Sequence, residues 1–179
     1  MATDMFIEPD ADPRVDPPLT GDERTTLLAF LRWQRDTLEL KCSGLEPADL
    51  ARRAVEPSTL SLLGLVRHMA EVERNWFRRT MAGERASRYY SSRENPDGDF
   101  DDAVADPDVV AQAWEAWKDE IAFADEFVAR AQDLDITGSN RWMDAVSLRW
   151  VLTHMIEEYA RHLGHADLLR ERIDGRVGQ

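Results

Sequence analysis

Thr153 to Asp167 reads THMIEEYARHLGHAD. Three of the chain's four histidines, His154, His162 and His165, fall in this stretch, with Glu157 and Glu158 between them. No proline interrupts it, and Met155, Tyr159 and Leu163 recur at the four-residue step of one helix face. The same stripe takes in Leu148, Val151 and Ile173, so the spacing predicts one long helix from Ser147 to Asp174-Gly175. At about 100° per residue, His162 lies about 40° from the centre of the stripe, Glu158 about 80° away on the same flank and His154 about 120° away. Glu158 and His162 are spaced i, i+4, so their side chains stack on one face.

Three more amphipathic stretches precede this helix. Thr20, Asp22 and Glu23 mark a helix start, and Leu27, Leu31, Leu38 and Cys42 share a face of a helix ending near Ser43-Gly44. LEPADLARRA holds a short connecting helix opened by Pro47. A second long helix is expected from near Ser58, with Leu62, Leu65, Val66, Met69, Val72, Trp76 and Phe77 as its stripe and Gly83 as its stop. Asp106-Pro107 is a cap followed by a first-turn proline, and Trp114, Trp117, Ile121, Ala124 and Val128 line the third helix. DLDITGSNRWMDA breaks the helical pattern, and no strand is expected in it. Four long amphipathic helices imply an all-α four-helix bundle. It would fill residues 20–179, after an extended tail over residues 1–19 whose prolines disfavour helix.

Between the second and third helices, ERASRYYSSRENPDGDFDDAVADPD exceeds the usual length of a connection. Its many charges, few aliphatics, Pro96 and Gly98 predict that Arg85 to Ala105 is mobile or ordered by ligand. Amide exchange as slow there as in the helices, without ligand, would contradict this. NPDGDFDD lacks the spacing of a calcium loop and reads as a solvated acidic turn. Tyr89 and Tyr90 either cover a ligand or anchor the loop. Arg67, Arg74, Arg78 and Arg79 either offset nearby acidic helices or receive a carboxylate.

The net charge of -13 over 179 residues makes nucleic acid and anionic membranes poor partners, and no basic run offsets it. No apolar run approaches membrane-spanning length, and the acidic, proline-rich start is unlike a signal peptide. Cys42 is the single cysteine, which fits a reducing cytoplasm and reads as a buried small residue.

His68 sits on the flank of the second helix's stripe. With Glu158 and His162 it makes three N/O donors from two helices, a set that bundle cores use for metal. Three protein ligands with a position left open mark a catalytic site, and these donors suit Zn²⁺, Ni²⁺, Fe²⁺ or Mn²⁺. The same residues also read as plain structure, with edge histidines satisfied locally and Glu158 paired to Arg161. Spacing alone leaves both readings open.

Two segments, LSLLGLVRHMAEVERNWF (60–77) and HMIEEYARHLGHADLLRERIDG (154–175), resemble the DinB-like superfamily of helical bundles. It includes the YfiT-type proteins and the mycothiol-dependent maleylpyruvate isomerases, and the resemblance covers about residues 20–175. It implies that His68, Glu158 and His162 are metal ligands. Glutamate replaces the first histidine of the superfamily's H-x-x-x-H pair, as in the isomerase branch, whose His-Glu-His set binds zinc. His154 and His165 then fall at the edge of the site; His165 stands where many relatives have glutamine. The resemblance further implies a low-molecular-weight thiol such as mycothiol, activated by the metal toward an electrophilic substrate. A cytoplasmic thiol S-transferase, or a related thiol-dependent activity, is the function expected. Isomerase activity is not, because those enzymes carry a further C-terminal domain and this sequence stops at Gln179. The alternative is a non-catalytic, stress-related bundle that binds metal or a small molecule. A homodimer is also implied, and Trp114, Trp117, Phe123 and Phe127 point in more directions than one core face needs. A monomer mass by light scattering would count against it.

Overall fold

Each long helix begins at a short polar side chain that accepts from the free N–H groups of its first turn. In the computed structural model, which describes residues 6–178, Asp22 caps α1 (Glu23–Cys42). The short α2 (Pro47–Leu50) opens on its proline. Ser61 caps α3 (Leu62–Glu73), which continues as a π-helical turn over Arg74–Met81. After the short α4 (Gly98–Asp101), Asp106 caps α5 (Pro107–Arg130). Ser147 caps α6 (Leu148–Asp174), which Gly175 closes with a φ of 78°. The chain is thus mostly helical. Helix α3 starts at Leu62 rather than near Ser58: the Ser58 hydroxyl accepts from the Leu60 N–H in a local turn, and Ser61 does the capping.

The expectation of no strand is corrected. Thr137–Asn140 (β1) and Met143–Ser147 (β2) pair antiparallel, with Gly138 opposite Val146. Asn140 Oδ1 accepts from the N–H groups of Trp142 and Met143 and so makes the turn. Gly138 lies against the end of the π-helical turn, where a Cβ would stand 2.2 Å from the Thr80 carbonyl oxygen. Gly138→Ala is therefore expected to push the hairpin away and cost about 1–3 kcal/mol, measured by urea unfolding.

α1 packs on α6, and α3 packs on α5 and α6. Leu148, Val151, Met155, Tyr159 and Leu163 of α6 are buried, as their spacing predicts, against Leu31, Leu38, Leu65, Met69 and Phe77. Trp117 is buried, and Trp114, Phe123 and Phe127 pack partly buried against the same core. Through this apolar core runs a chain of polar groups. The Trp117 indole N–H donates to the Tyr159 hydroxyl (2.8 Å), which donates to Glu73 (2.8 Å). Both Glu73 oxygens accept from Arg35, each at 2.8 Å. One side chain comes from each of α1, α3, α5 and α6, so the network fixes the register of all four.

The connections are anchored. Arg67 donates to the carbonyls of Gly98 and Asp99, Glu71 accepts from the Tyr90 N–H, and Tyr89 donates to the buried Glu120. These bonds hold the connection expected to be mobile at both ends. Of the tail expected over residues 1–19, the first five residues lie outside the described residues. The remainder carries a 3₁₀ turn at Pro9–Ala11, and Phe6 and Arg14 are buried. No helix of the described residues is long and apolar enough to cross a membrane.

Candidate metal centre

α6 presents Glu158 and His162 on one flank, and α3 carries His68 to meet them. Glu158 Oε1 lies 3.4 Å from His68 Nε2 and 3.5 Å from His162 Nε2. The two imidazole rings stand 4.6 Å apart between centroids. One donor atom from each of the three residues lies within 4.8 Å of the others, and all three are half-buried. Donors about 2.0–2.1 Å from a tetrahedral cation stand about 3.4 Å from one another, so the carboxylate-to-imidazole separations suit such an ion.

His68 is supported from behind by two residues that no sequence motif marks. Asp99 Oδ2 lies 2.7 Å from His68 Nδ1, and Phe100 stacks on the imidazole at 4.9 Å. Asp99 is buried, so the acidic turn read as solvated in fact places one carboxylate inside. Gly98 permits it: a Cβ there would meet the Tyr90 carbonyl oxygen at 2.5 Å. A carboxylate on Nδ1 favours a proton on that nitrogen, so Nε2, which faces Glu158, is the nitrogen that would give up its proton to bind a cation. On the other flank, His165 Nδ1 lies 3.4 Å from His162 Nδ1. Burial and the neighbouring His162 keep His165 below the usual imidazole range, so it favours the neutral form that can accept from His162.

The electrostatics of the metal-free chain follow from these contacts. Burial works against charge on His68, but the hydrogen bonds to Asp99 and Glu158 outweigh it and push its pKa up to about 9. Hydrogen bonds from His162 and His68 hold the Glu158 carboxyl well below the usual carboxylate range. The charged form of Glu158 is the one a cation needs.

His154 lies apart, stacked on Trp150 (4.9 Å) with its edge against Trp76 (4.9 Å). It also forms a donor group with Glu157 and Glu158. Glu157 is exposed and paired with Arg161, which makes that group the poorer holder of a cation. Glu158 itself does not take Arg161.

The arginine cluster divides. Arg74 and Arg78 converge on Glu120, Arg67 serves backbone carbonyls, and Arg79 keeps its guanidinium toward Asn75. Cys42 is buried, and that burial pushes its thiol up to about 12, so it is no nucleophile near neutral pH. The centre opens on a cavity of about 280 Å³ lined by His68, Trp76, Asp99, Phe100 and Glu158.

A family model described as mycothiol S-transferase matches residues 26–175. No curated protein and no solved structure matches the chain. The matched span runs from the first turn of α1 to the glycine that closes α6 and includes His68, Asp99, Glu158 and His162. The chain therefore belongs to the mycothiol S-transferase family, within the DinB/YfiT-like group.

Proposed function

We propose that the chain is a DinB-like four-helix bundle acting as a metal-dependent thiol S-transferase, with His68, Glu158 and His162 holding one divalent cation, zinc foremost. The observation that carries this reading is the convergence of two imidazole nitrogens on one carboxylate oxygen, with Asp99 behind His68. Family membership supports mycothiol as the thiol. When bound, the cation would supply Lewis acidity that favours the thiolate over the thiol near neutral pH.

The chain's own residues would do the rest. Glu158 brings the charge of the filled set to about +1, which leaves the site receptive to one further anion. Asp99 keeps the His68 proton on Nδ1, and His165 does the same for His162. Phe100 and Trp76 wall the cavity with apolar surface, which strengthens charge interactions inside it.

The test is elemental analysis of protein purified without chelator, followed by calorimetric titration with mycothiol and with glutathione. One equivalent of divalent metal and tighter binding of mycothiol are expected. Protein that takes up no divalent metal at neutral pH would leave a plain binding module as the better account. Asp99→Asn is expected to weaken metal binding about 10- to 100-fold with helical content unchanged, read by competition with a chromophoric chelator.

A further inference from the structure

A second cavity, of about 1170 Å³, lies between the π-helical turn, the loop that follows it and the tip of the β1–β2 hairpin. Arg79, Arg85, Arg88, Arg93 and Arg141 line it, with Glu84 as its one acid. Glu84 is already paired with Arg78. Among the described residues, none of the five arginines pairs with a carboxylate: Arg79 reaches Asn75, Arg88 reaches Ser91, and Arg141 lies 4.3 Å over the Trp142 ring. Ten other arginines of the chain do find an acid, as Arg35, Arg74 and Arg149 do. In a chain of net charge -13, five arginines without a carboxylate partner lining one cavity are the reverse of what composition would place there. Like charges gathered around one cavity repel, and a bound anion relieves that repulsion.

The rim adds a second feature. Trp142, at the hairpin tip, is 77% exposed. A large flat ring held in water beside guanidinium groups offers a stacking surface next to an anion site. The position matters as well. Asn75, Arg79 and Arg88 line both this cavity and the smaller one at His68 and Glu158. A molecule held among the arginines by one end can therefore extend the other toward the candidate metal centre.

We propose that this cavity binds the second substrate, a small organic carboxylate whose charge is carried on a flat unsaturated or aromatic body. The word substrate rests on the S-transferase reading; the anion site does not. The probes are cinnamate, its uncharged amide, inorganic phosphate and a ten-residue oligothymidylate. Each is titrated by calorimetry into chelator-treated protein and into protein incubated with Zn²⁺. Cinnamate should bind at least about tenfold more tightly than the amide, and Arg93→Gln with Arg141→Gln should lose at least about tenfold of that affinity. Trp142→Ala should weaken cinnamate and leave phosphate unchanged. All three are surface substitutions, and circular dichroism checks that the variants fold.

Equal binding of cinnamate and the amide, or an unchanged double variant, would overturn the proposal. Phosphate binding as tightly as cinnamate would overturn the flat-bodied substrate class, and tighter binding of the oligonucleotide would make the cavity a nucleic-acid face instead. Carboxylate binding in protein that takes up no zinc would uphold the anion site while the metal reading fails. Zinc uptake with no carboxylate binding would do the reverse.

Discussion

His162→Ala should strip the protein of most of its metal, while His154→Ala should retain it. Both histidines lie on α6, and both are half-buried near Glu158, so the difference is one of direction. His162 Nε2 faces the Glu158 oxygen that also faces His68. His154 is turned into the gap between Trp76 and Trp150, with its Nδ1 3.4 Å from the exposed Glu157. Losing one of three donors should cost more than the about 10- to 100-fold expected for a supporting residue such as Asp99. The expected order of effect on zinc affinity is thus His162, then Asp99, then His154. Competition titration of the three variants reads it directly. If His154 proves necessary and His162 dispensable, the cation sits on the other donor group, with Glu157.

Much of this was legible in the residues. The helices announced themselves through caps and stripes: Asp22, Asp106 and Ser147 each accept from the first turn as their residue types favour. The i, i+4 step put Glu158 and His162 on one flank before any contact was visible. Periodicity says nothing about turn chemistry, however. Ser58 has the look of a cap but spends its hydroxyl on a local turn, so α3 begins at Leu62. The hairpin leaves no pattern in the sequence because its strands are short and lack a clean apolar alternation, and its turn depends on one asparagine side chain.

The supporting residues were harder for a different reason. Asp99 reaches His68 across 31 positions of sequence, from an irregular connection where no periodic pattern points inward. Its neighbours Asp97, Asp101 and Asp102 are exposed, so four acids of similar appearance have one buried member. What singles it out is backbone packing at Gly98, and a lone sequence does not display that. The five arginines of the larger cavity are scattered in the same way, over α3's continuation, the loop and the hairpin.

Glu73→Ala should be the most destabilising single substitution in the helical core, at about 3–5 kcal/mol. Glu73 is fully buried, and its two oxygens take the Arg35 guanidinium and the Tyr159 hydroxyl. Burial works against charge on Arg35, but Glu73 beside it more than offsets this and holds the guanidinium firmly protonated. Without Glu73 that charge remains in the core with the largely exposed Asp125 as its remaining partner. Breaking one side of a buried pair leaves an uncompensated charge, whereas replacing both sides by apolar residues need not. Glu73→Leu combined with Arg35→Met should therefore recover most of the loss, by urea unfolding. A cost below about 1 kcal/mol for Glu73→Ala would mean that the pair is solvated like a surface ion pair and ties no helices together. The double variant also separates stability from position. Tyr159 follows Glu158 in α6, and Glu73 lies on α3 with His68, so the network sets how the two helices meet where the candidate ligands converge. If apolar replacement restores stability but zinc affinity still falls, the buried pair aligns the site. If both return together, packing alone holds α3 and α6 in register.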